Sequence, residues 1–160
     1  MPQATVPPKT EHGSGFEPAS VRQFTVFLEN RVGKMALLLS KLEQAGLRIN
    51  AFSVEESTDI SLMRLIASNP EDCRECLRAN DFSFSETAVL AVEVPTTTRV
   101  PMIHIAQALL AAEVNIHYAY PLLRAHAEPA IALYVDDLVF AQRILMRKQF
   151  RILGETDLRK

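Results

Sequence analysis

The chain has 160 residues, 48% apolar and 22% charged, with a net charge of −2. This is the balance of a globular protein rather than a disordered one, and it lacks the clustered basic excess that nucleic-acid binding asks for. No run approaches the roughly 18–20 apolar residues that span a bilayer, the first residues show no apolar signal-peptide core, and two cysteines imply no disulfide framework, so a cytoplasmic protein is expected.

Residues 1–20 hold four of the nine prolines and few large apolar side chains. Such a segment buries too little surface to offset its ordering entropy, and it is read as a flexible tail. Ser14 has no base or oxyanion donor placed beside it and is not expected to act as a nucleophile. Val21 to Leu28 then alternates Phe24, Val26 and Leu28 onto one face, a strand. Asn30-Arg31-Val32-Gly33 makes a tight turn, and Met35, Leu38, Leu39 and Leu42 follow at helical spacing. Gly46 supplies the left-handed residue that ends that helix. Arg48–Glu55 and Ile60–Ala67 read as a hairpin, and Asn69-Pro70-Glu71-Asp72 is a helix start with a cap, a first-position proline and early acids. That helix reaches Ala79, and Phe82–Glu86 reads as a short fourth strand. The order βαββαβ fits in about sixty-five residues, a split-βαβ unit with both helices on one face of an antiparallel sheet.

The remainder repeats the order. Val89–Val94 is a strand, and Met102, Ile105, Ala106 and Leu109 form a helical stripe. Val114–Pro121 and Ala130–Val135 form a hairpin. Asp136-Asp137 opens a helix with Leu138, Ala141, Ile144 and Leu145 inward, and Phe150–Leu153 is the last strand. The two halves align as an internal duplication: the first strands are offset by 66 residues and the first helices by 67, so one residue is inserted within Thr96-Thr97-Thr98. Gly33 and Gly46 correspond to Val100 and Glu113, and the second copy gains Pro101. The expected layout is a tail at 1–20, one unit at 21–87, a second at 88–155 and a tail at 156–160.

The junction at Asn30–Gly33 points free backbone N–H groups and the positive end of a helix at one spot, which suits a carboxylate. The turn by itself also asks for these residue types, since Asn tolerates left-handed angles and Gly has no Cβ. Cys73 and Cys76 fit a buried helix face better than a zinc or redox site, because no second ligand pair exists and the neighbouring Asp72 and Glu75 oppose a thiolate. His104, His117 and His126 have no ligand spacing, and no metal or other cofactor is expected. Tyr118, Tyr120 and Tyr134 read as sheet packing. Arg143, Arg147, Lys148, Arg151, Arg159 and Lys160 read as a solvated face.

Leu28-Glu-Asn-Arg-Val-Gly33, with Gly46-Leu-Arg-Ile49 and Val114-Asn-Ile116-His-Tyr-Ala-Tyr120, resembles the ACT family of small amino-acid-sensing modules, here in two copies over residues 21–155. Val32 stands where that family's turn usually has Pro. The resemblance implies an α+β fold of two ferredoxin-like units and a non-catalytic regulatory protein, not an enzyme. It further implies an amino acid or related carboxylate held at the first turn against a neighbouring subunit or domain. The residues carried over are Leu28, Asn30, Arg31, Val32, Gly33, Lys34, Arg48, which replaces a frequent Asn, and Asn115, which keeps it. A regulatory subunit of the acetolactate synthase small-subunit type is the alternative. A split-βαβ unit leaves its helix-free sheet face in need of cover, so side-by-side pairing of the copies and a homodimer are expected. A partner enzyme is compatible with either reading, whereas nucleic acid and membrane are not expected as partners.

Overall fold

The computed structural model describes residues 19–123 and 128–159. Most of the expected N-terminal tail, with Ser14, and His126 lie outside them. The first unit comprises β1 (Val21–Glu29), α1 (Lys34–Gln44), β2 (Ile49–Glu56), β3 (Ile60–Ala67) and α2 (Pro70–Ala79), and it closes with β4 (Ser83–Glu93). The second continues with α3 (Pro101–Ala111), β5 (Ile116–Pro121), β6 (Ala130–Val135), α4 (Leu138–Arg147), β7 (Ile152–Leu153) and a short α5 (Glu155–Leu158). The fold is α+β, two antiparallel ferredoxin-like units.

Helix starts follow from the caps read in the sequence. Asn69 accepts from the Asp72 amide and Asp137 from the Phe140 amide, each filling an orphan donor. The four long helices end alike. Gly46, Asp81, Glu113 and Gln149 all take left-handed angles, and the next residue's amide returns to the last turn: Leu47 to Leu42, Phe82 to Leu77, Val114 to Leu109 and Phe150 to Leu145. This is the Schellman closure. Glu113 therefore keeps the geometry of Gly46 without being glycine, at a backbone cost of about 1–2 kcal/mol.

The two strands read at Phe82–Glu86 and Val89–Val94 are one. β4 pairs with β1 from Ser83 to Val89 and with β6 and β7 from Leu90 to Glu93. No loop stands at 87/88. The strand order is β2-β3-β1-β4-β6-β5, with β7 also on β4. On a flat path β1 and β5 would stand three strands apart, roughly 14 Å at the usual spacing. Instead the Tyr120 hydroxyl donates to Gln23 Oε1 at 2.7 Å, and an Ala51–Leu122 bridge joins β2 to the residue that follows β5. The sheet folds back on itself.

The helix-free faces thus cover one another within the chain, a face-to-face arrangement rather than the side-by-side pairing expected. Three apolar layers result. Phe24, Val26, Leu38, Leu42 and Leu65 fill the first helix–sheet layer, and Leu90, Val92, Ile105, Leu109 and Leu145 fill the second. Val21, Ala51, Ile66, Ala91 and Ala132 lie between the sheets, where small side chains allow close approach. Two stripe positions differ from the periodicity. Met35 is half-exposed at the rim of α1, and on α3 it is Ala108 rather than Ala106 that is buried.

The closing residues, read as a tail, form α5 and dock on the first unit. Arg22 donates Nε to Glu155 Oε1 at 2.8 Å and Nη2 to Oε2 at 3.0 Å, and also pairs with Glu71. Asn50, itself buried, donates to the Leu158 carbonyl at 2.7 Å. The Arg22 guanidinium holds the Glu155 carboxyl below its ordinary value of 4.5. A depressed carboxyl stabilises the fold above its unfolded pKa, and that contribution is lost as pH falls through the folded one. The latch should therefore be intact at neutral pH and weaken as pH drops below about 4.5, at a cost of about 1 kcal/mol for a partly buried pair. Protection factors at 155–159, taken against the intrinsic exchange rate at each pH, should fall in that range, and Glu155→Gln should flatten the dependence.

Candidate ligand site at the first strand-turn-helix junction

Gly33 sits at φ 88°, ψ −10° and caps α1 with no side-chain hydrogen bond, and the first turn of α1 carries no acid. The amides at the start of α1 thus meet neither a capping side chain nor an acid of their own helix. A Cβ on Gly33 would meet nothing within 4 Å, so its left-handed angle alone calls for glycine. Asn30 is not left-handed. Its amide instead donates to Glu56 Oε1 at 3.1 Å and to the Ser57 carbonyl at 3.4 Å, and its backbone N–H reaches the Asp59 carbonyl at 3.3 Å. Asn30 ties the turn to the end of the β2–β3 hairpin.

The cavity formed there holds about 290 Å³. It joins five of the residues carried over from the sequence, Leu28, Asn30, Arg31, Gly33 and Lys34, to Glu29, Met35, Val54, Glu56 and Ser61. Val32 points fully into solvent. Arg31 pairs with Glu29 at 3.0 Å. Two carboxylates and two cations therefore line one small space with apolar Leu28, Met35 and Val54.

Arg48 and Asn115 are elsewhere. β1 and β2 both run antiparallel to β3, so the turn after β1 adjoins the end of β2, and Arg48 precedes its start, about 26 Å away at strand rise. Arg48 donates to the Arg159 carbonyl at 2.8 Å. Asn115 precedes β5, where its backbone N–H donates to Asp136 Oδ1 at 3.1 Å. The residues the sequence reading missed are Glu29 and Glu56. The signal for Glu56 was present in the topology, since parallel β1 and β2 bring Asn30 and Glu56 to the same end.

The remaining candidates have structural roles. Burial pushes the Cys73 thiol up to about 12, helped by Cys76 and Glu86, and Cys76 is also raised by burial, so neither is a ready nucleophile. Among the described residues no three His, Cys, Asp or Glu side chains gather as a metal set, and no helix is long and apolar enough to cross a membrane. Tyr118 stacks on Tyr134 at 5.0 Å, with the Arg64 guanidinium 4.1 Å from the Tyr118 ring centre.

Two βαββαβ units joined through a common strand, with an uncapped helix start behind the first strand, define a tandem module of the ferredoxin-like class. The chain belongs to the ACT domain pair family, whose model matches residues 19–160. The ACT domain pair is a regulatory module. No curated protein sequence matches the chain. Among solved structures, protein BT0572 from Bacteroides thetaiotaomicron is similar at a TM-score of 0.81 and 24% identity, covering 89% of this chain and 98% of that one. The regulatory subunit of aspartate kinase from Thermus thermophilus shares the fold at 0.55 and 12% identity over 82% and 93%. The corresponding subunit from Thermus flavus does so at 0.53 and 12% over 82% and 93%.

Proposed function

We propose that the protein is a non-catalytic sensor that binds a free amino acid at the first turn. The observation that carries this reading is the pairing of charges in the 290 Å³ cavity. Lys34 and the amides at the start of α1 suit a carboxylate, and Glu29 and Glu56 suit an ammonium. A zwitterion engages both signs of charge, whereas a simple carboxylate would leave the acids to their present partners, Arg31 on Glu29 at 3.0 Å and Asn30 on Glu56 at 3.1 Å. Half-exposed Met35 and Val54 stand in the wall, and a second copy of the chain or a partner enzyme is the surface that would cover them.

Thermal shift against the twenty amino acids tests the reading. At a hundred times Kd a bound ligand adds about 2.7 kcal/mol, which for a protein of this size raises Tm by roughly 5–10 °C. Glu56→Gln and Gly33→Val should reduce or remove the shift, and the N-acetylated form of the active amino acid should give none. No shift with any amino acid at millimolar concentration would reject the reading.

A further inference from the structure

The second turn differs from the first in a way that opens a separate cavity. Val100, in the place of Gly33, is not left-handed (φ −137°, ψ 73°), and the inserted residue lengthens the connection between β4 and α3. One face of α3 carries His104, Gln107, Ala108 and Ala111, where α1 carries Leu37, Ser40, Lys41 and Gln44. Two alanines thus replace two long side chains on the side turned to the end of α4. A cavity of about 560 Å³ lies there, between Pro95, Thr97 and Thr98, this face of α3, and Lys148-Gln149-Phe150. It falls within the 300–1,000 Å³ common for small-molecule sites.

The lining has a definite chemistry. Its inner part is apolar, with buried Ala108 and half-buried Phe150, Pro95 and Pro101. Its rim offers the Lys148 ammonium, the His104 imidazole, two threonine hydroxyls and the Gln107 and Gln149 amides. No carboxylate lines it. Lys148 has no ion pair among the described residues. The carbonyls of Ile144, Leu145 and Met146 beside it already accept from the amides of Lys148, Gln149 and Phe150, so that helix end does not compete for a donor. The first-turn cavity has two acids and could hold an ammonium, whereas this one has none.

We propose that this cavity between the second turn, α3 and the end of α4 is a second ligand site, for a small organic acid with an apolar body and no ammonium group. The apolar part would lie on Ala108 and Phe150, with the carboxylate toward Lys148 and His104. The site does not depend on the first-turn reading, because it shares no residue with that cavity.

The experiment is a titration of the full chain, followed by amide NMR, with 3-phenylpropionate, phenylalanine and 3-phenylpropanamide. The three share a skeleton and differ in charge. Phenylpropionate should move the resonances of Thr97, His104, Gln107, Lys148 and Gln149 with saturation, and more tightly than either relative. Lys148→Met should weaken it about tenfold, the size of one charge-assisted hydrogen bond. Ala111→Gln, at an exposed position and restoring the first copy's residue, should block the site while leaving the rest of the spectrum in place. The proposal is overturned if phenylpropionate leaves these resonances unmoved or moves them without saturation. It is equally overturned if phenylalanine or the amide binds as well, or if folded Ala111→Gln binds like the parent.

Discussion

Phe24→Ala should lower stability by about 3–5 kcal/mol, the cost of emptying a fully packed aromatic site. Phe24 is 0% exposed, lies in the layer under α1 and α2, and meets the Phe84 ring at 5.9 Å. Against the 5–15 kcal/mol typical of a domain, that is a large fraction. The more informative expectation is where the loss registers. All three tyrosines, Tyr118, Tyr120 and Tyr134, belong to the second unit, and the chain has no tryptophan. Tyrosine fluorescence thus reports the second unit and its contact with Gln23 and Arg64 of the first, while the substitution lies in the helix–sheet layer of the first. With β4 common to both sheets, fluorescence and far-UV circular dichroism should shift to the same lower urea midpoint. An unshifted fluorescence transition would show that the units unfold independently.

Tyr120→Phe should cost about 1–3 kcal/mol, although it removes only one oxygen. Gln23 is fully buried between the sheets, accepting from Tyr120 and donating to Tyr118 at 2.7 Å and to Thr25 at 3.2 Å. Removing the hydroxyl strands the Gln23 carbonyl oxygen without water, and an unsatisfied buried acceptor costs its full desolvation. Gln23→Leu together with Tyr120→Phe should recover part of the loss, because an apolar pair leaves fewer orphans. Urea midpoints of the single and double variants measure both effects.

Local signals in the sequence carried most of the elements. The caps at Asn69 and Asp137 and the alternation through Ile60–Ala67 and Ala130–Val135 needed no tertiary information, and the structure reproduces them. The failures share a cause. Ser85-Glu86-Thr87 looks like a break because this part of β4, still paired with β1, is exposed or half-buried, and the fully buried run starts only at Val89, where the strand passes to its second set of partners. α5 has four residues, too few for periodicity, and its position depends on Arg22, Arg48 and Asn50 far away in sequence. At the candidate site, Asn30, Gly33 and Lys34 were legible from the local turn. Glu56 and the distance of Arg48 followed only once β1 and β2 were known to be parallel.

Two independent βαββαβ units would need eight strands, and among the described residues the pair is made with seven. The strand saved is the one that would have allowed a hinge. With β4 running unbroken through both sheets and α5 clamped across to β1, neither unit can swing as a rigid body against the other. A signal passing from one turn to the other has to travel as twist along β4 or as repacking between the sheets. Truncation at any point within β4 removes an edge from one half and a centre from the other.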